Sequence, residues 1–463
     1  MGDYASALLG NREGIKIARE RLNKKYLKPL SFSGDDLTGH ISVSLAGDKD
    51  SRLRQLLEKL ELELKDEDAD TPANRGLGSN NLLFMACELL LLGSEEDGFP
   101  MLLVEEPEAH LHPQRQLRLM QFLQDQAGTM RHDGQKIQII VTTHSPNLAS
   151  AIKLDNLVMM QDGRAFPLIA GKTGLEKSDY RFLERFLDVT KANLFFARGV
   201  LIVEGDGENI LIPTLARLIG RDFSEHGVSI VNVGHTGLRR FARIFQRREP
   251  NKDGVIDVPV ACVADIDVMP ECAPAIIGKV KEGDDWPDKR KRRWRAKSDF
   301  TQEELAARRE EIRQRASGQN VQSFVSDEWT LEYDLAYSGL AEDVWIAAHL
   351  AGADDRINAG TRSKRSVEMV AKKRFEKLTA QKPHKEELAS KVYALFTTGK
   401  EVSKAITAQY LAERLERRVK DGEVTAETLK TCLPPYLVKA IEYAAPFSGA
   451  NGATDQNKAE AHE

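Results

Sequence analysis

The sequence has no long apolar run and few cysteines, and each absence excludes a class of protein. No uninterrupted apolar stretch approaches the roughly 20 residues that a membrane helix needs, and the N-terminus lacks the basic-then-apolar layout of a secretory signal. The four cysteines, Cys87, Cys262, Cys272 and Cys432, are scattered without a C-x-x-C pair. A disulfide framework or a zinc site is therefore not expected, and we predict a cytoplasmic protein that makes no membrane contact.

The apolar pattern predicts two successive α/β regions joined by a helical connector. Strands are predicted at 40–45, 101–104 and 137–141, helices over the first thirty residues and at 51–65, 82–92 and about 113–127, and a loop at 66–81. After the connector at 176–198, strands are predicted at 200–203, 228–233, 258–264 and 321–325, with helices at 207–219, near 236–247 and at about 287–316. The sequence is then largely helical to about 445, and the polar tail from 448 is expected to be disordered. Alternating strands and helices are typical of a parallel sheet.

Two acids follow a short apolar strand in the first region. Met101–Val104 precedes Glu105 and Glu106, and a second strand ends some thirty-five residues later in a Thr-His-Ser-Pro motif that contains His144. In a nucleotide site the first acid would hold Mg²⁺, the second would orient the attacking water and the histidine would contact the γ-phosphate. The same residues also fit a buried strand end followed by a solvated acidic turn.

The sequence lacks the glycine-rich loop that holds nucleotide phosphates, G-x-x-x-x-G-K-[ST]. The one Gly-Lys-Thr, at 171–173, has Phe166 where the first glycine should stand, and it follows the acidic strand instead of preceding it. It is predicted to be an ordinary loop. We therefore expect ATP binding only if a missing N-terminal part supplies the phosphate loop, and the sequence fits a C-terminal fragment or one part of a split protein.

Four acids flank two strands of the second region. Glu204 and Glu208 follow the strand at 200–203 with one helical turn between them, and Asp265 and Asp267 end the strand at 258–264. Alternation along a strand would place the two aspartates on one side, and adjacent parallel strands would bring all four carboxylates to one sheet edge. The same acids, taken singly, also fit capping and turn-forming positions.

Four carboxylates in one place repel each other, and hard divalent cations relieve that repulsion. Since no soft ligand is present, Mg²⁺ or Mn²⁺ is the expected metal. Two such ions about 4 Å apart would activate water and stabilise the leaving oxygen in phosphodiester cleavage. The sequence therefore predicts a two-metal site.

Negative charges exceed positive ones, with a formal net charge of −5, yet one basic block stands out. It comprises Lys289, Arg290, Lys291, Arg292, Arg293, Trp294 and Arg295. Its cations would neutralise DNA phosphates and Trp294 would stack on an exposed base. The block equally fits a solvated helix face that balances the acids before it, and both interpretations stay open.

These motifs together resemble one nuclease family. The segments EEPEAHLHP (105–113) and THSP (143–146) resemble the Walker B, D-loop and switch-histidine segments of ABC ATPases of the SMC/RecF/OLD branch. The pattern E-G-x-x-E followed by D-x-D resembles the Toprim domain of topoisomerases, primases and OLD nucleases. An ABC half that precedes a Toprim domain resembles the OLD (overcoming lysogenization defect) family over about residues 75–445.

The resemblance implies further site residues. Glu332 becomes a metal ligand and Asp334 a weaker one, because the segment at 329–335 resembles the family's post-strand acidic motif. Lys404 would stabilise charge on the cleaved phosphate, although taken alone it fits a solvated helix lysine. Gly78 and Ser79 stand where the ATPase signature motif should be, in a sequence that departs from its usual form.

The fold class that follows is α/β: a partial ABC-ATPase parallel sheet, then a Toprim (Rossmann-like) domain with additional helical segments. The expected domains are residues 1–170 for the C-terminal part of the ATPase domain, 171–198 for the connector, 199–345 for the Toprim catalytic domain with a charged insert at about 285–318, 346–447 for a helical region that completes the nuclease site, and 448–463 for the tail.

The resemblance implies a metal-dependent DNA endonuclease with two Mg²⁺ or Mn²⁺ ions per chain, acting in phage defence or DNA processing. It also implies self-association and, in one class, a UvrD-like helicase partner. The alternatives are a scaffold or recombination mediator without nuclease activity, and a topoisomerase-like enzyme. The topoisomerase would need a nucleophilic tyrosine on a separate DNA-gripping domain, which the sequence does not offer, whereas the scaffold would lack tight divalent-metal binding.

Overall fold

A computed structural model describes residues 11–30, 38–43, 60–65, 76–93, 99–234, 237–281, 283, 285–397 and 402–446. The chain divides into two compact units, Met1–Lys153 and Leu154–Glu463. Among the described residues, no helix is both long and apolar enough to span a membrane. The tail from 448 lies outside the described residues, and the expected domain layout stays a prediction.

The first unit contains two small sheets and four α-helices within its described ranges. In chain order these are α1 (Glu13–Arg21), β1 (Thr38–Val43), β2 (Leu60–Lys65), α2 (Leu77–Leu92), β3 (Met101–Glu105), α3 (Pro113–Gly128), β4 (Gln138–Thr142) and α4 (Pro146–Ala151), with a π-helix at Leu22–Leu27 and a 3-10 turn at Lys28–Leu30 after α1. Strands β3 and β4 are parallel neighbours, as the β-α-β order predicts, and β1 pairs with β2 in antiparallel fashion.

Two sequence predictions in this unit were wrong. The helix expected at 51–65 ends in a strand, because Leu60–Lys65 alternates leucine with charged residues at the period of a strand; residues 51–59 lie outside the described part. The loop expected to reach residue 81 ends earlier, since α2 begins at Leu77. Apolar residues of α2 and α3 belong to one core in this unit, and α2 packs against the π-helix at Leu22–Leu27.

The second unit is built around a four-stranded parallel sheet with the order β10-β9-β7-β8. Its strands are the hairpin β5 (Val158–Gln161) and β6 (Arg164–Pro167), and the sheet strands β7 (Gly199–Val203), β8 (Val228–Asn232), β9 (Val260–Ala264) and β10 (Val321–Val325). The helices up to β10 are α5 (Lys177–Phe186), α6 (Val189–Ala192), α7 (Asp206–Leu218), α8 (Phe223–His226), α9 (Leu238–Ile244), α10 (Pro250–Asp253), α11 (Ala273–Ile276) and α12 (Gln302–Gln314). The helices after it are α13 (Leu331–Leu335), α14 (Ala341–Ala351), α15 (Asp354–Asn358), α16 (Lys364–Thr379), α17 (Lys385–Tyr393), α18 (Lys404–Lys420), α19 (Ala426–Cys432) and α20 (Pro435–Ala444).

Helices cover both faces of this sheet, which explains why its central strands are apolar throughout. Strands β7 and β9 are buried along their whole length. Leu201 and Val203 face one core together with the C-terminal helices, whereas Val200 and Ile202 face a second core that includes α5 and α9. The layers leave the carboxyl ends of the strands as the open edge where polar residues gather.

The charged stretch at 287–316 is helical only in part, contrary to prediction. Short 3-10 turns occur at Lys289–Lys291 and Lys297–Asp299, and the helix α12 covers only Gln302–Gln314. Thr301 is the N-cap of α12, and its side chain accepts from the Glu304 N–H in a capping box. The cap supplies a start signal for the helix at that point, and the residues before it fold as a loop.

Candidate metal centre

Glu204 and Glu208 lie at the carboxyl end of β7. Glu204 follows the last strand residue, and Glu208 is in the first turn of α7, whose N-cap is Gly205. A Cβ on Gly205 would stand 2.5 Å from the Glu208 Oε2 atom, so the absence of a side chain lets the Glu208 carboxylate fold back over the turn. Carboxylates in the first turn also face the positive end of the helix dipole.

Asp265 and Asp267 follow β9, the neighbour of β7, but they do not lie on the strand. Strand β9 ends at Ala264, and Asp267 has φ +55°, so the Asp-Ile-Asp segment is a turn. The Ile266 side chain is buried and its N–H donates to the Ser326 Oγ at 2.8 Å. The alternation argument for the two aspartates was therefore wrong, and a tertiary hydrogen bond shapes this segment instead.

Glu332 and Lys404 meet at the same edge from two different helices. The Lys404 Nζ donates to the Glu332 Oε2 at 2.8 Å and lies 5.5 Å from the centre of the Tyr393 ring. Burial disfavours the lysine charge, but attraction to Glu332 outweighs it and raises the pKa of Lys404 above its usual range. A Cβ on Gly207 would lie 3.7 Å from the Glu332 Oε1, an ordinary contact distance, so the first turn of α7 passes close to the pair.

The carboxylates at this edge affect one another electrostatically. Burial, followed by repulsion from Asp267 and Glu208, raises the pKa of Glu204 to about 7. Burial and the charge of Glu332 hold the pKa of Asp265 well above its usual value. Acids from the ends of three adjacent strands thus lie near enough to resist each other's ionisation.

The carboxylates at this edge are near one another but do not converge on one point. Within the described ranges, no three Asp, Glu, His or Cys side chains converge closely enough to hold a metal ion. The donor set still fits a hard divalent cation, because carboxylate oxygens are the ligands that such ions prefer. A cation would also offset the repulsion that raises the pKa of Glu204 and Asp265.

Two further acids of the region have structural partners. Both Asp334 oxygens accept from backbone N–H groups, those of Trp329 at 2.9 Å and Glu328 at 3.2 Å, and the side chain is buried. These bonds favour a role for Asp334 in shaping the loop before α13, in place of the ligand role implied by the resemblance. Asp206 accepts from the Asn232 amide at 2.7 Å, which ties the end of β8 to α7.

The sequence reasoning missed Tyr436 and Ser326, and no local motif marks either residue. Tyr436 lies on α20 with its hydroxyl buried and without a partner among the described atoms. Burial, together with nearby acids led by Asp334 and Asp265, raises the pKa of Tyr436. This phenol is therefore a neutral donor that lies near the candidate centre.

The basic block is partly a folded loop. The Arg292 side chain is buried, pairs with Asp299 and lies 4.0 Å from the Trp294 ring centre and 5.1 Å from that of Trp286. The Lys289 Nζ donates to the Asp299 backbone oxygen at 2.6 Å. Arg292 thus packs against the Trp294 ring, and stacking of Trp294 on an exposed base stays a prediction.

The other cations of the block differ in their surroundings. Arg295 donates to the backbone oxygens of Arg292 and Trp294. Arg290, Lys291 and Arg293 are exposed. The exposed three keep both interpretations of the block open, a DNA contact and a solvated surface.

The first unit brings together the acid and the histidine that the sequence singled out. Glu105 and Thr142 are opposite each other at the ends of parallel β3 and β4, so Glu106 and His144 follow at one edge. The His144 Nε2 lies 3.6 Å from the Glu106 Oε1. Glu106 has φ +43°, which marks a tight turn directly after the strand.

The candidate signature segment packs against the D-loop region. A Cβ on Gly78 would stand 2.4 Å from the His110 backbone oxygen, so only glycine fits there. The Ser79 Oγ accepts from Arg115 at 3.4 Å. The Gly-Lys-Thr at 171–173 lies in the second unit between β6 and α5, outside any helix or strand except for one isolated bridge at Thr173.

Comparisons with known proteins agree with this architecture. Residues 195–267 match the family model for the Toprim domain of overcoming-lysogenization-defect-like proteins, and residues 14–149 match the AAA ATPase domain model. The first match spans Glu204, Glu208, Asp265 and Asp267. The resemblance and the α/β fold class expected from the sequence are thereby confirmed.

Curated relatives share parts of the chain at low identity. An OLD nuclease of Thermus scotoductus is 26% identical over 46% of this chain and 39% of its own length. Endonuclease GajA of Bacillus cereus strain HuB5-5 is 20% identical over 53% of this chain and 39% of its own. Uncharacterized protein YbjD of Escherichia coli K12 is 27% identical over 33% of this chain and 26% of its own. The matched part of the chain thus spans between about a quarter and two fifths of the length of each of these relatives.

A solved structure also aligns with the chain. It is the C-terminal region of the OLD protein of Xanthomonas campestris pv. campestris, 20% identical, covering 57% of this chain and 99% of its own, with a TM-score of 0.30.

Proposed function

We propose that this chain, which carries an OLD-like Toprim domain at residues 195–267, acts as a DNA endonuclease dependent on Mg²⁺ or Mn²⁺. The observation that carries the proposal is the group of acids at the ends of β7, β9 and β10, in which burial and mutual repulsion raise the pKa of Glu204 and Asp265. Such repulsion destabilises an empty acidic site and is relieved when cations bind.

Each acid would have a defined part in this site. Glu204, Glu208, Asp265 and Asp267 would hold the divalent ions, two per chain, and Glu332 would complete the ligand set. Bound ions of this kind would supply Lewis-acid activation and a nucleophilic water for phosphodiester hydrolysis. The turn at Gly205 and the hydrogen bond that the Ile266 N–H donates to the Ser326 Oγ would fix the backbone that carries these acids.

Lys404 would interact with the phosphate at which the DNA is cleaved. Glu332 holds the Lys404 ammonium at the edge by a 2.8 Å hydrogen bond, and its raised pKa keeps it charged at neutral pH. A fixed positive charge at this edge would stabilise the negative charge that develops on the phosphate during cleavage. Since Lys404 donates a hydrogen bond to Glu332, a proposed metal ligand, it would also orient the Glu332 carboxylate.

The named relatives support DNA as the substrate, since two of them are named as nucleases. We further propose that the chain acts in phage defence or DNA processing, that it self-associates, and that a UvrD-like helicase is its partner. The site in the first unit, with Glu105, Glu106 and His144, would work with a phosphate loop when one is supplied. Metal-dependent cleavage by the chain itself would not require ATP.

The test is cleavage of supercoiled plasmid DNA by the full chain with Mg²⁺, Mn²⁺ or EDTA. Nicked or linear product is expected with the metals and not with EDTA, and Glu204→Ala and Asp265→Ala should abolish it. Glu225→Gln, an exposed acid on α8, is the matched control and should cleave normally. Full activity in both alanine variants would place the site elsewhere, whereas a chain that neither cleaves DNA nor shows tight divalent-metal binding in calorimetry would favour the scaffold.

A further inference from the structure

A cavity of about 200 Å³ lies among the helices that follow the sheet. Its apolar lining includes Ala348 of α14, Gly352 directly after that helix, and Val367 of α16. Three arginines, Arg356, Arg362 and Arg374, and one histidine, His349, also line it. The cavity has room for about six waters, which is enough for a phosphate group.

The backbone around the cavity holds two of the arginines in place. The Arg356 backbone oxygen accepts from the Thr361 and Arg362 N–H groups, at 3.0 and 3.1 Å, and from the Thr361 hydroxyl at 3.0 Å. Gly360 makes this turn possible with φ +68°. The turn therefore brings Arg356 and Arg362 to the same opening, although they are six positions apart.

Arg374 reaches the cavity from α16. It follows Val367 and Val370 at helical spacing, and residues three and four apart share one helix face. Burial, together with the charge of Arg374, lowers the pKa of His349. His349 is therefore neutral near pH 7, and the positive charge of the cavity comes from the arginines.

Within the described part of the chain, no carboxylate forms an ion pair with these arginines. The cavity lining contains no Asp or Glu, and none of the ion pairs in that part involves Arg356, Arg362 or Arg374. Arg356 and Arg374 are exposed and Arg362 is half-buried, so an anion from solvent can reach all three guanidinium groups. Arginine also matches phosphate oxygens in a bidentate geometry, so a phosphate ester is the anion that fits best.

The cavity is close to the candidate metal centre along the chain. Val402 lines the cavity, and a Cβ on Gly352 would lie 3.5 Å from the Val402 Cγ2. Lys404, two residues further on, binds Glu332 at the metal centre. Two residues span at most about 7 Å between their Cα atoms, so the wall of the cavity at Val402 lies within that distance of the Lys404 backbone.

We propose that this cavity binds a backbone phosphate of the DNA strand that is cleaved at the metal centre, a few nucleotides from the scissile bond. The proposal rests on the nuclease function above for its substrate. The arginines would fix the register of the strand without reading its bases, because phosphate contacts position DNA and carry no sequence information.

The experiment compares two double variants of the full chain that lose the same charge. Arg362→Gln with Arg374→Gln removes two cavity arginines, and Arg365→Gln with Lys373→Gln removes two exposed cations of α16 that do not line the cavity. Affinity for a fluorescein-labelled duplex is measured by anisotropy with Ca²⁺ in place of Mg²⁺, across a series of salt concentrations. Circular dichroism and melting temperature verify that each variant is folded.

The cavity variant should bind the duplex about tenfold more weakly, and its log–log salt dependence should fall by about one for each phosphate that the arginines no longer neutralise. The control should stay within about twofold of the unmodified chain. In cleavage assays the cavity variant should raise KM and leave kcat unchanged. Equal weakening in both variants, or none in either, would overturn the proposal.

Two further arms separate the explanations. Calorimetry with inorganic phosphate tests for a small anion, and loss of phosphate binding in the cavity variant with unchanged DNA affinity would overturn the assignment to DNA. A chain that binds DNA through the cavity but cleaves it with neither metal would refute the proposed function and leave the cavity assignment intact. Substitution by lysine at positions 362 and 374 should restore much of the salt dependence.

Discussion

Replacing Glu204 by Gln should stabilise the metal-free protein and abolish cleavage at the same time. Burial and the charges of Asp267 and Glu208 raise the pKa of Glu204 to about 7, so the folded chain resists an ionisation that the unfolded chain accepts. Glutamine keeps the size of the side chain and removes the charge. A residue whose role is purely structural would respond in the opposite direction.

The size of the effect follows from the pKa. A rise from 4.5 to about 7 corresponds to about 3 kcal/mol against the ionised folded state. Since the side chain keeps some contact with solvent, we expect about half of this, roughly 1.5 kcal/mol. For the second unit, Leu154–Glu463, that equals an increase of about 2 °C in melting temperature.

The stability gain from Glu204→Gln depends on pH between 4.5 and about 7. Below pH 4.5 Glu204 is protonated in both states and contributes no penalty. As the pH rises from 4.5 to about 7 the unfolded chain ionises first, so the unmodified protein loses stability relative to the variant, and above pH 7 the difference is constant. The gain from Glu204→Gln should therefore be complete at pH 8 and small at pH 4.5.

The assay is thermal unfolding in EDTA at both pH values, repeated with saturating Mg²⁺ at pH 8. Metal should stabilise the unmodified chain more than the variant, since binding to the folded state alone adds stability. Glu225→Gln should change none of these temperatures. A variant that melts below the unmodified chain at pH 8 in EDTA would refute the repulsion on which the metal site is argued.

Three other changes test separate parts of the molecule. Lys404→Met should lower kcat by about 10²–10³-fold with little change in KM in plasmid cleavage, and Lys404→Arg should recover part of the loss. Gly205→Ala should lower kcat about 10²-fold, because its Cβ would stand 2.5 Å from the Glu208 Oε2, whereas Gly207→Ala, with its nearest contact at 3.7 Å, should keep most of the activity. Asp299→Asn should cost about 3–5 kcal/mol in denaturant unfolding, because it leaves its buried arginine partner unpaired.

Each of these has an outcome that would contradict it. Equal kcat values for the methionine variant and the unmodified chain would remove Lys404 from the reaction. Equal losses for the two glycine variants would show that helix packing, and not the position of Glu208, limits activity. A change under about 1 kcal/mol for Asp299→Asn would mean that solvent reaches the ion pair.

The sequence indicated Glu204, Glu208, Asp265 and Asp267 because each follows an apolar strand, and parallel strands end at one edge. That reasoning needs only local pattern, so it also located β7 and β9 within a residue or two. It failed for residues 60–65, where leucines spaced at intervals of two were assigned to a helix. It failed again at Asp267, where a left-handed turn replaces the end of a strand.

Other features depended on contacts between distant segments. Asp334 and Glu332 lie two positions apart in one motif. In the folded chain Asp334 accepts hydrogen bonds from backbone N–H groups, whereas Glu332 accepts one from Lys404. Trp294 lies in a basic block for which the sequence left open a DNA contact or a solvated surface, and in the folded chain Arg292 packs against its ring. Composition and spacing do not predict these hydrogen-bond and packing partners, because the partner residues are distant in the sequence and come together only when the chain folds.

The sequence by itself determined strands β7 and β9, the acids that follow them and hence the Toprim-like edge. Buried parallel strands appear in a sequence as short apolar runs, and their carboxyl ends lie at one edge of the sheet. Only the tertiary structure decided which acids repel each other, that Lys404 is held by Glu332, and that Arg356, Arg362 and Arg374 surround one cavity. Periodicity records which side of an element is buried. It does not record what that side packs against, and the chemistry of this protein depends on those contacts.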